Sequence, residues 1–114
     1  MPVDTLKKLE ENQKKIAGML PDLMANFKKV HDAALAEGAL TSREKVLIGL
    51  GIAVSKQCSY CISKYLKSAI DMNIELQEII EACGVAILMN GGPGAAYTSF
   101  VLDTYAELKK QIGR

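Results

Sequence analysis

Cys58-Ser59-Tyr60-Cys61 sets two thiols three positions apart, a spacing at which the sulfurs can close a strained local disulfide. Such a bond exchanges rather than staples, so the pair reads as a dithiol–disulfide redox centre. The flanking sequence places it where one apolar helix ends and another begins, at a helix cap and first turn. Unpaired backbone amides and the helix dipole stabilise a thiolate there. Lys56 and Lys64 lie nearby and read as solvated side chains. Metal binding is the competing use of the cysteines. A zinc site needs four ligands, and the only further thiol and imidazole are Cys83 and His31, neither at a finger-like spacing. Two subunits sharing a metal or an iron–sulfur cluster stays open; the redox reading itself requires no cofactor.

The elements that must position the pair are helical. Thr41-Ser42-Arg43-Glu44 is a capping box that starts a helix running through Val46-Leu47-Ile48-Gly49-Leu50-Gly51-Ile52-Ala53-Val54. That run is apolar nearly all round and predicts a central buried helix, with glycines for close backbone approach. Before it, Leu23, Met24, Phe27, Val30, Ala34 and Leu35 recur at helical spacing after Pro21, and Gly38 ends the stripe. After the cysteines, Ile62, Tyr65, Leu66, Ala69 and Ile70 mark a helix that Asn73 is suited to close, and residues 74–89 predict another. Asn90-Gly91-Gly92-Pro93-Gly94 breaks the chain before a last helix striped by Tyr97, Phe100, Val101, Thr104, Tyr105 and Leu108. Residues 1–19 read as a charged helical arm in solvent, with Glu10/Lys14 and Glu11/Lys15 at i,i+4 spacing, and residues 20–114 as one domain. The expected fold class is all-α, a helical bundle.

With 14 Lys plus Arg against 13 Asp plus Glu, the net charge of +1 argues against a nucleic-acid partner. No stretch approaches the roughly 18 apolar residues of a membrane span, and Met1-Pro2-Val3-Asp4 does not begin a leader, so a cytoplasmic protein with no membrane association is expected. A hydrophobic fraction of 49% leaves more apolar surface than short helices cover in one chain, which predicts a homo-oligomer.

The run Glu44 to Cys61, together with Glu78-Ile79-Ile80-Glu81-Ala82 and Gly91-Gly92-Pro93, resembles the carboxymuconolactone decarboxylase and alkylhydroperoxidase D-like proteins, over about residues 20–110. The resemblance implies an oligomeric helical bundle, trimeric or hexameric. Redox members carry Glu-x11-Cys-x2-Cys-x3-His, in which the carboxylate and imidazole relay protons to the cysteines, whereas the decarboxylase branch generally lacks the pair. It therefore implies a peroxidase or disulfide reductase, with a thiol electron donor and a small peroxide or disulfide as substrate. By the same resemblance Cys61 attacks peroxide and Cys58 resolves the sulfenic acid; the residues alone leave that order open. Two positions depart from the pattern: Val46 stands twelve residues before Cys58, and Tyr65 four after Cys61. General thiol–disulfide exchange is accordingly favoured over efficient peroxide reduction.

Other side chains can be weighed as relay members. Tyr65 can donate and accept a hydrogen bond, but with an unperturbed pKa of roughly 10 a phenol shuttles protons poorly near neutrality. Glu44 lies two residues from the expected carboxylate position and is already used in the capping box. Glu81 and the lone His31 read first as a helix flank and a packing residue, and as relay groups only if they face the pair. Tyr60, between the cysteines, suits either packing or substrate contact, and Cys83 reads as an inert buried thiol. A decarboxylase of the founding type and a nonenzymatic metal-binding oligomer are the alternatives.

Overall fold

Thr41 and Glu44 bond reciprocally: the Thr41 hydroxyl accepts the Glu44 amide at 3.0 Å, and the Glu44 carboxylate accepts the Thr41 amide at 2.8 Å. This is the expected capping box, and it opens the helix that brings Val46, Leu50, Ala53 and Val54 into the core. The structure is a computed structural model that describes residues 2–113, with side chains from Leu6 onward; Met1 and Arg114, at the ends of the expected arm and domain, lie outside the described residues. Its helices are α1 (Pro2–Met19), α2 (Pro21–Leu35), α3 (Ser42–Ser55), α4 (Ser59–Asp71), α5 (Leu76–Asn90) and α6 (Gly92–Ile112), with no strand among the described residues. None of them is long and apolar enough to cross a membrane.

Helix α3 packs against α2, α4, α5 and α6, and Val46, Leu50, Ala53 and Val54 on it are buried. The core continues through Ile62, Leu66 and Ala69 of α4, Ile79 and Cys83 of α5, and Val101 and Leu108 of α6. The all-round burial expected for α3 is not met within one chain: Ile48 and Ile52 are half exposed on the face that runs beside α5. Helix α1 also differs from a solvated arm. Its charged face is in solvent, but Leu6 is buried and Leu9 packs on the core, so α1 is docked against α4 and α6. Two apolar residues were too few to read as a stripe.

Helix α2 departs most. Its expected apolar face is present, yet no residue of α2 is buried, and Leu23, Phe27 and Val30 are 60%, 56% and 64% exposed. The periodicity was correct for a helix, but among the described residues that face is left largely uncovered.

The turns follow local chemistry. Asn73 takes φ 58° and the Ile74 amide reaches back to the Ala69 carbonyl at 2.9 Å, closing α4 as a left-handed cap does. Gly91, at φ 67°, breaks the chain between α5 and α6. The Arg43 guanidinium pairs with the Glu78 carboxylate, joining the start of α3 to the start of α5. That bond, followed by the Glu75 amide, holds the Glu78 carboxyl below its ordinary value.

Candidate functional site

The turn between α3 and α4 builds the site. Gln57 takes the left-handed conformation at φ 56°, and the Cys58 amide bonds the Ala53 carbonyl at 3.1 Å. This six-to-one bond is the Schellman closure of α3, and it costs about 1 kcal/mol for a residue with a Cβ in that region. It brings the chain round so that Cys58 becomes the N-cap of α4. Gln57 carries no sequence signal for this role, since glycine or asparagine is the usual choice. The corner of α5 and α6 buttresses the turn, because the Asn90 side-chain amide donates to the Ser55 hydroxyl at 2.8 Å.

Cys58 and Cys61 are disulfide-bonded, with their Cα atoms 5.3 Å apart. The Cys61 backbone N–H donates to the Cys58 sulfur at 3.2 Å, so this sulfur fills the acceptor position that a Ser or Asp oxygen usually holds. The expected placement at a cap and first turn is met, with an added asymmetry. In the reduced pair, negative charge on Cys58 gains an amide hydrogen bond and the N-terminal end of the α4 dipole. Both cysteines are half-buried, and Tyr60 between them is 49% exposed, on the open side of the turn.

Tyr65 lies one helical turn after Cys61 on the same face of α4. Its ring is held between two helices. On one side it packs on Gly49 of α3, where an added Cβ would sit 3.7 Å from the ring, and on the other it stacks on His31 of α2. The two ring centroids are 6.3 Å apart at an interplanar angle of 24°. His31 Nδ1 lies 3.2 Å from the Asp32 carboxylate, and His31 Nε2 is buried without a hydrogen-bond partner. The Lys28 ammonium, then the His31 ring, holds the Asp32 carboxyl below its ordinary value. His31 and Asp32 line one recess with Val46 and Ser68.

The other expected relay residues are not brought to the pair. Glu44 starts α3 while Cys58 follows its end, roughly 20 Å away along a helix rising about 1.5 Å per residue. Its carboxyl is held down by the Thr41 amide and hydroxyl, which leaves it a cap. Glu81 is exposed on α5 and accepts from Gln77 at 3.1 Å, whereas α4 packs against α1, α3 and α6. Cys83 is fully buried and burial raises its thiol, opposed in part by the Thr98 hydroxyl, in keeping with an inert thiol. Among the described residues no three His, Cys, Asp or Glu side chains come together as a metal site.

With the geometry described, comparison with known proteins gives the family. The carboxymuconolactone decarboxylase family model matches residues 21–104. The chain belongs to the carboxymuconolactone decarboxylase family. A family member from Legionella pneumophila, solved as an apo crystal structure, superposes with a TM-score of 0.91 at 30% identity, covering 94% of this chain and 96% of that one. An uncharacterised protein of Cupriavidus necator is 33% identical over 88 residues, 77% of this chain and 78% of its own length. Uncharacterised protein 4 of the cox locus in Paracoccus denitrificans is 32% identical over 82 residues, 72% and 74% of the two chains. The carboxymuconolactone decarboxylase family includes decarboxylases and peroxidases, so the activity of this member has to be argued from its own site.

Proposed function

We propose that this member is a thiol–disulfide oxidoreductase that cycles Cys58 and Cys61 between disulfide and dithiol. The observation that carries the reading is the disulfide at the start of α4 with the Cys61 amide on the Cys58 sulfur. In the reductive half, a donor thiolate attacks Cys61 and the Cys58 sulfur departs, because charge on it is stabilised by that amide. A second donor thiol then releases Cys61, so two electrons and two protons pass to the protein and the donor becomes a disulfide. In the oxidative half, the Cys61 thiolate attacks a small disulfide or peroxide and Cys58 resolves the product. With a peroxide, the oxygen–oxygen bond breaks, leaving an alcohol and a sulfenic acid on Cys61, and resolution by Cys58 releases water. The half-exposed Tyr60 borders the approach to the sulfurs. Purified protein mixed with dithiothreitol and hydroxyethyl disulfide is expected to accelerate their exchange catalytically; a rate equal to the protein-free mixture would sink this reading.

Homo-oligomer formation follows as part of the same proposal. Two separate apolar surfaces lie open: the Leu23, Phe27 and Val30 face of α2, and a recess of about 370 Å³ between α3 and α5 lined by Ile48, Ile52, Val85 and Met89. Different patches on one chain favour head-to-tail contacts that close into a ring. Light scattering is expected to return three or six times the 12.3 kDa chain mass, and a monomer at micromolar concentration would contradict it.

A further inference from the structure

A groove of about 540 Å³ lies among α1, α2 and α4, and its lining is mostly apolar, with Ala17 of α1 and Pro21, Met24 and Ala25 of α2. The one residue of α4 that lines it is Lys64. Lys64, expected to be solvated, is half-buried. Nearby lysines are already neutralised, since Lys28, also on the groove, pairs with Asp32 at 2.8 Å and Lys67 with Asp71 at 3.1 Å. Lys64 has no carboxylate within ion-pair distance among the described residues. Two lysines against the single carboxylate of Asp32 leave the groove positive. A half-buried ammonium without a partner is screened less than a surface one and attracts an anion more strongly. On α4, Cys61 stands three residues before Lys64, so the two side chains are neighbours, with Cβ atoms about 5–6 Å apart. Tyr65 links the same stretch of α4 to the groove by stacking on His31, which also lines it. Of the open α2 face offered for oligomer contact, only Phe27 belongs to the groove.

We propose that this groove receives the substrate of the cysteine pair and selects disulfides that carry a carboxylate on a short apolar arm, with Lys64 as the specificity-determining residue. The inference rests on the oxidoreductase reading and names the substrate class for it. The carboxylate takes the Lys64 ammonium, the arm lies along Met24 and Ala25, and the substrate sulfurs are held beside Cys61. An attacking thiolate repels an anionic substrate, and Lys64 offsets that repulsion. The Cys61 thiolate attacks one substrate sulfur, the substrate sulfur–sulfur bond breaks, and one arm leaves as a thiolate. The Cys58 thiolate then displaces the second arm and closes the protein disulfide. The protons given up by the two cysteines pass through solvent to the two departing thiolates. One protein dithiol and one substrate disulfide thus become one protein disulfide and two carboxylate-bearing thiols.

The test is steady-state turnover with dithiothreitol as reductant, comparing dithiodibutyrate, whose apolar arms end in carboxylates, with the neutral hydroxyethyl disulfide. The readout is the ratio of the two kcat/KM values, which cancels any effect on the reactivity of the cysteines themselves. Lys64→Gln is expected to lower the preference for dithiodibutyrate about 10-fold, through KM rather than kcat, the pattern of a contact made equally in the ground and transition states. Lys64→Arg keeps the charge and should keep most of the preference. Ala25→Phe narrows the groove without altering its charge and should also lower the preference. An unchanged ratio in Lys64→Gln overturns the inference, and an unchanged ratio in Ala25→Phe overturns the groove as the seat of the arm. If Lys64→Gln does not fold, Lys64→Met, which keeps the apolar stem, is read in its place with the same outcomes. Cys61→Ser protein sets the zero: wild type at that zero with both disulfides defeats the oxidoreductase reading itself, whereas an active wild type whose ratio Lys64→Gln leaves unchanged defeats only the substrate class.

Discussion

Cys58→Ser and Cys61→Ser are each expected to reduce catalytic exchange to the rate of the protein-free mixture, because the proposed cycle needs two sulfurs that close on each other. The variants differ in what they trap. With Cys58 removed, Cys61 still attacks a disulfide, but nothing resolves the product, and a mixed disulfide accumulates at Cys61. With Cys61 removed, the remaining Cys58 sulfur sits in the resolving position of the proposed cycle, engaged by the backbone amide of residue 61. Mass spectrometry after brief exposure to hydroxyethyl disulfide is expected to show the adduct predominantly on Cys58→Ser protein. An adduct confined to Cys61→Ser protein would reverse the order of attack, and turnover surviving in either variant would remove the pair from the mechanism. Neither change should unfold the chain, since α4 retains its cap backbone and its packing on α3.

Gly94→Ala has the largest effect expected on stability. Gly94 is buried in the first turn of α6, and a Cβ there would lie 2.9 Å from the Ile87 Cα and 3.0 Å from the Ala86 carbonyl oxygen. Both are backbone atoms of α5, so relief requires two helices to separate rather than one side chain to turn. Overpacking of this kind costs about 1–3 kcal/mol, and the better helix propensity of alanine recovers about 1 kcal/mol at most. The net expectation is a thermal midpoint lower by several degrees, roughly 4–8 °C for each kcal/mol lost in a small domain. Gly84→Ala is the control: it lies in α5 with nothing within 4 Å of an added Cβ, and it should leave the midpoint unchanged or raise it. Equal midpoints for wild type and Gly94→Ala would contradict the close α5–α6 approach. The same corner bonds Ser55 beside the cysteine turn through Asn90, so Gly94→Ala should lower exchange activity as well.

What could be read along the chain was what local chemistry decides. The Thr41–Glu44 capping box, the left-handed Asn73, the Gly91 break and the cap position of the cysteines each involve residues within a few positions of one another. The cysteine pair was legible for the same reason. Gln57 was not, because its left-handed turn is imposed by the closure of α3 rather than chosen by its side chain. The stack of His31 on Tyr65 joins two helices distant in sequence, and no periodicity reports which helix faces which. The same limit left Glu81 a relay residue only on the condition that it faced the pair, a condition that the placement of α5 decides. The exposed face of α2 was legible as amphipathic, but its failure to bury within the chain depends on where α1 and α3 lie.

The pair is central to all of this, and the most direct test is its equilibrium reduction potential. Protein equilibrated in dithiothreitol redox buffers, acid-quenched and thiol-trapped, should titrate as one two-electron couple between about −270 and −120 mV, the range of exchange-active CxxC pairs. A value below about −300 mV, where structural disulfides lie, or a pair that never closes, would contradict the account.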